Sequence, residues 1–136
     1  MSKTISLNFD GYYTEDNLPT EDHQCSGIYV VYRGNDECLT ELLYIGRSGE
    51  VADRPSSTHH RYNSWRRSLQ SNEYLHFSFA DTNDEVRAEA AMIYEIQPRL
   101  NRSGKDGFHH KETTIVSSGR NAGFERPFTV YNTDDD

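Results

Sequence analysis

Residues 27–33 read GIYVVYR and residues 42–47 read LLYIGR, two runs dense in β-branched and aromatic side chains. Both predict buried strands, because such side chains fill a pleated surface well. The polar connection between them carries Gly34, Asn35 and Asp36, residue types that turn a chain. Gly46 and Gly49 predict a tight turn after the second strand.

Outward from this pair, residues 56–69 have the polar pattern of a helix, with Pro55 placed to start it. Residues 74–80 alternate, so that Leu75, Phe77 and Phe79 share one face of a half-buried strand. A helix is predicted over 84–97: Thr82 and Glu85 have capping-box spacing, and Pro98 bounds the far end. The order strand, strand, helix, strand, helix predicts an α+β domain at 26–101, with a small three-stranded, mainly antiparallel sheet flanked by helices. Residues 1–25 read as an acidic, irregular N-terminal arm with a short strand at 5–9. Residues 102–136 read as a C-terminal extension with weak strand signals at 113–116 and 128–131.

A chain of 136 residues supports one such domain with extensions, and its nine tyrosines and six phenylalanines argue against disorder. No apolar run has membrane-spanning length and nothing resembles a signal peptide, so a cytoplasmic protein with no membrane partner is expected. Cys25 and Cys38 form no CxxC pair, which argues against a zinc site and for reduced structural thiols.

The net charge of -8 argues at first against a nucleic-acid partner. Its distribution changes that. Asp10, Glu15, Asp16, Glu21 and Asp22 lie in the arm and three aspartates end the chain, while residues 54–72 contain no acid. That stretch carries Arg54, Arg61, Arg66 and Arg67 beside His59, His60, Tyr62 and Trp65. Cations interleaved with aromatics can hold phosphates and stack on bases, so Arg61, Trp65, Arg66 and Arg67 are candidate substrate contacts. An amphipathic helix with Trp65 in the core explains the same pattern equally well.

On a helical wheel for 84–97, Val86, Ala90, Met92, Ile93 and Ile96 make one apolar stripe, and Glu89 falls inside it. Burying an unpaired carboxylate is costly, so Glu89 requires a partner, a metal ion or a cleft. A structural ion pair with a nearby arginine is the plain alternative.

Gly27-Ile28-Tyr29 followed by Tyr44-Ile45-Gly46 resembles the paired tripeptides of the GIY-YIG nucleases. Arg54, eight residues after Gly46, matches that family's catalytic arginine. Glu89 and Asn101 match its metal-binding glutamate and its asparagine. The chain departs from the family at Thr58, where a histidine or tyrosine is usual, although His59 and His60 follow at once. The resemblance covers about residues 26–101.

It implies an endonuclease that hydrolyses DNA phosphodiester bonds with Mg2+ or Mn2+. Glu89 would be the sole protein ligand of the metal, and Arg54 would grip the scissile phosphate. Tyr29 would act as general base or orient the water, tuned by Arg47 or the metal. Tyr44 would orient Tyr29 or the water, His59 or His60 would relay a proton, and Asn101 would fix site geometry. So small a module is expected to cut with low specificity, or as a homodimer or beside a helper protein. The competing expectations are a nucleic-acid-binding module with weak catalysis and a protein-directed accessory factor whose acidic arms meet a basic partner.

Overall fold

The computed structural model describes residues 2–18, 26–48 and 60–134. Arg54, Pro55, Thr58, His59 and Cys25 lie outside the described residues. The elements in chain order are β1 (Lys3–Tyr13), a 3-10 turn (Glu15–Asn17), β2 (Gly27–Gly34), β3 (Leu39–Ser48) and α1 (Tyr62–Arg67). They continue with β4 (Tyr74–Asp81), α2 (Glu85–Ile96), β5 (Thr113–Gly119) and β6 (Phe128–Val130).

The strands form one six-stranded mixed sheet in the order β3-β2-β4-β1-β5-β6. This corrects the expected three-stranded sheet flanked by helices. The physical reason lies in β1, where Ile5, Leu7 and Phe9 alternate with exposed neighbours and bury one face completely. Such a strand must pair along its length, and it does so on both sides. Its first part runs parallel to β5, from Lys3↔Thr113 to Phe9↔Gly119, and its last part pairs antiparallel with β4 from Asp10↔Phe79. The handover between partners falls at Gly11, where an added Cβ would stand 2.7 Å from the Phe77 carbonyl oxygen. Only glycine fits there.

Side chains leave the two faces of the sheet into separate cores. On one face Ile28, Val30, Tyr32 and Ile45 pack with Ala88, Ala91, Met92 and Ile93 of α2. On the other, Tyr29, Val31, Leu75, Phe77 and Phe79 pack around Trp65 of α1. The buried stripe of α2 differs from the wheel reading, because Val86 is 48 % exposed while Ala88 and Ala91 are fully covered. Small alanines let the helix axis approach the sheet, and that sets its rotation. The capping box is also replaced: the helix begins after Asp84, whose N–H is taken by the Thr82 hydroxyl at 3.0 Å. At the far end Gln97 adopts a left-handed conformation and donates its N–H to Ile93 before Pro98. No helix among the described residues is long and apolar enough to cross a membrane.

Candidate functional site at the end of β3

Register brings the two tripeptides together. β2 and β3 are antiparallel neighbours with Tyr29 opposite Gly46 and Ile28 opposite Arg47. The Tyr29 ring lies across the place where a Gly46 side chain would be: a Cβ built there would fall 2.7 Å from Cε2 and closer still to Cζ and Oη. The tyrosine of one motif therefore requires the glycine of the other. Tyr44 stacks beside Tyr29 with ring centroids 6.3 Å apart, and Trp65 lies 5.4 Å beyond Tyr44.

Cross-strand partners in an antiparallel pair share a face. Arg47 thus leaves the sheet on the side of Ile28, toward α2, opposite to the Tyr29 ring. There its Nε donates to Oε1 of Glu89 at 3.1 Å. Glu89 follows Ala88 on α2 and keeps 22 % of its side chain exposed, against 46 % for Arg47, so the pair is reachable from solvent. The cation that sequence reasoning offered as a tuner for Tyr29 has the glutamate as its observed partner instead.

Asn101 holds β3 from outside. Its buried side chain accepts a hydrogen bond from the Ile45 N–H and donates to the Ile45 carbonyl, both at 2.9 Å, while the Leu100 N–H reaches the Leu43 carbonyl. Residues 100 and 101 so satisfy backbone groups that an edge strand would otherwise expose, and leaving either Ile45 group unpaired would cost about 1–3 kcal/mol. Two residues earlier Arg99 meets both oxygens of Glu41, at 2.9 and 3.0 Å, and Arg33 reaches the same carboxylate at 2.9 Å. Arg99, followed by Arg33, holds the Glu41 carboxyl down at about 2.

The remaining candidates separate. Trp65 is fully buried, so its indole packs the core and offers no stacking face to a base. Arg66 pairs with Glu15 at 2.9 Å, Arg67 and His60 are exposed, and Arg61 is half-buried just before α1. Sequence reading missed the contact between Gly46 and Tyr29, although aligning the tripeptides antiparallel would have found it. It also missed Glu15, Glu41 and Arg99, whose partners lie 40 or more residues away except for Arg33 with Glu41.

Among the described residues no group of three or more His, Cys, Asp or Glu side chains converges as a metal cage. Glu89 instead offers a single half-buried carboxylate, a hard oxygen donor of the kind that holds magnesium with waters and phosphate completing the shell. Glu89 carries Arg47 on one oxygen, so a magnesium ion held there would share the carboxylate with the arginine. Comparison of the chain with protein-family models, with curated proteins and with solved structures finds no match.

Proposed function

We propose that this chain is a metal-dependent endonuclease of the GIY-YIG type that hydrolyses DNA phosphodiester bonds. The observation that carries the reading is the assembly around Tyr44–Arg47. Tyr29 lies on Gly46, Tyr44 stacks beside it, Glu89 reaches Arg47 and Asn101 binds the Ile45 backbone. Three sequence-distant positions, Tyr29, Glu89 and Asn101, meet the four consecutive residues Tyr44–Arg47, Tyr29 from one face of the sheet and Glu89 from the other.

β3 is the edge strand of the sheet, and at Gly46 the Tyr29 ring fills the space a side chain would take. A phosphodiester drawn along the edge can meet groups from both faces. On one side Tyr44 stays partly exposed while Tyr29 is fully buried against Gly46, so Tyr29 orients or deprotonates the attacking water only once the strand end opens to substrate. On the other Glu89 would hold Mg2+ or Mn2+, which would supply Lewis acidity. Arg54 offsets charge on the phosphoryl oxygens, and His59 or His60 protonates the leaving oxygen. Arg47 holds the Glu89 carboxylate in place until substrate arrives.

The test is cleavage of supercoiled plasmid and of labelled duplex and single strands, with Mg2+, Mn2+ or EDTA. Cutting is expected only with metal. Glu89→Gln should abolish it while leaving DNA binding in place, and cutting that survives this substitution overturns the mechanism. The Arg47–Glu89 ion pair favours a second reading, in which a cation of the protein already satisfies the carboxylate and the chain binds DNA without turnover. Binding without cleavage under every metal would select it.

A further inference from the structure

Among the described residues, the acid-free stretch of the chain meets the acidic arm at Glu15. Glu15, in the 3-10 turn after β1, accepts a hydrogen bond from the Tyr62 hydroxyl through one oxygen, and its other oxygen lies 2.9 Å from Nη1 of Arg66. Tyr62 and Arg66 are one turn apart on α1, so a phenol and a guanidinium converge on a single carboxylate. Donation to Glu15, aided by burial, holds the Tyr62 phenol above its usual range and keeps it a proton donor.

The carboxylate is a stand-in by its chemistry. One negative charge shared by two oxygens, met by an O–H and an N–H donor, is also what the non-bridging oxygens of a phosphodiester present. A cleft of about 680 Å3 opens beside the contact, between the 3-10 turn and α1, with Tyr74 and Leu75 in its wall. Arg66 lines this cleft, and half of its side chain remains exposed (50 %). The Tyr62 ring touches Trp65, and Trp65 touches Tyr44, at centroid distances of 6.3 and 5.4 Å. The contact therefore lies on the same face of the sheet as the tyrosines of both tripeptides.

We propose that Tyr62 and Arg66 form a phosphate subsite for the nucleic-acid backbone, and that Glu15 occupies it as a competing carboxylate until substrate displaces it. This rests on the nucleic-acid reading above and adds to it a residue, Tyr62, and a built-in competitor. The arm then lowers affinity for any polyanion and sharpens discrimination, since only a strand that also engages the β3 edge repays the displacement of Glu15.

The experiment is fluorescence anisotropy of a short labelled duplex in EDTA, where cutting is stopped, with thermal melts confirming that each variant is folded. Glu15→Gln should bind about fivefold tighter, the scale of one exposed ion pair, with a salt slope steeper by about one. Glu125→Gln removes the same charge from an exposed position beside Phe124 and should change affinity less than about twofold. In an Arg66→Ala background the gain from Glu15→Gln should disappear. An equal gain from Glu15→Gln and Glu125→Gln, or a gain that persists without Arg66, overturns the subsite. A wild-type protein that fails to cut with Mg2+ while Glu15→Gln still gains affinity through Arg66 removes the nuclease reading and leaves the subsite standing. If no variant binds the duplex, both fall.

Discussion

The α2 face and the α1 face cover the same central strands with different materials. Four residues of a twelve-residue helix, two of them alanines, close the α2 face over an aliphatic layer that also receives Phe108, Ile115 and Phe124. The α1 face is aromatic and is closed by a six-residue helix that buries one side chain, Trp65. Among the described residues, four side chains of the helix share the burial on the first face, whereas on the second the helix contributes a single buried anchor. The motif tyrosines lie on the side with the single anchor, and the carboxylate proposed to hold metal lies on the other.

The largest effect should come from removing that anchor. Trp65→Ala is expected to cost about 3–5 kcal/mol by urea denaturation, because it opens a cavity between Tyr44 and Phe77. Met92→Ala on the opposite face is expected to fall toward the lower part of an about 2–5 kcal/mol range, since neighbouring residues share its load. A Met92 loss larger than the Trp65 loss would break the contrast between faces.

A smaller change sharpens the comparison at the strand end. Gly46→Ala forces a methyl group into the Tyr29 ring and should cost about 1–3 kcal/mol as overpacking. In a Tyr29→Ala background, already destabilised by its own cavity, the added cost of Gly46→Ala should nearly vanish. The coupling in that double-mutant cycle measures the contact directly. An unchanged cost in both backgrounds would mean that the ring and the glycine are independent.

The smallest effect concerns Glu41, the carboxylate between Arg33 and Arg99 beside β3. Its folded-state pKa is lowered from 4.5 to about 2. The stability it contributes is therefore fully present above about 4.5 and is lost as pH falls toward about 2. Partly exposed ion pairs of this kind are worth about 0.2–1 kcal/mol. The melting-temperature gap between wild type and Glu41→Gln should accordingly be small near neutrality and close as pH drops through that window. A gap independent of pH would show that the arginines act through packing alone.

Legibility from sequence followed how local the information is. β2, β3 and β4 announce themselves through GIYVVYR, LLYIGR and the Leu75, Phe77, Phe79 alternation, because each run carries its own burial pattern. β1 carries an equally regular Ile5, Leu7, Phe9 pattern, but the acids that follow it interrupt the apolar signal, so the sequence predicts a short strand at 5–9 where Lys3–Tyr13 forms. In β5 the buried positions are Thr113 and Ile115 amid serine and threonine, a composition with little apolar signal, and its pairing with Lys3 spans the chain. Such distant pairing leaves no mark in either segment alone. At the site, Tyr29 with Gly46 was written in the tripeptides, whereas the split of Tyr29 and Glu89 between faces depended on which side of the sheet α2 would choose.

The parallel pairing of β1 with β5 has a consequence for synthesis on the ribosome. The first strand to emerge finds the partner of its Lys3–Phe9 half only after residues 113–119 have been translated and have left the exit tunnel. Until then that half has its polar backbone without its sheet neighbour on one side and Ile5, Leu7 and Phe9 without their full cover. Nascent chains halted before residue 113 should accordingly engage hydrophobic-binding chaperones, and release from them should coincide with the arrival of β5.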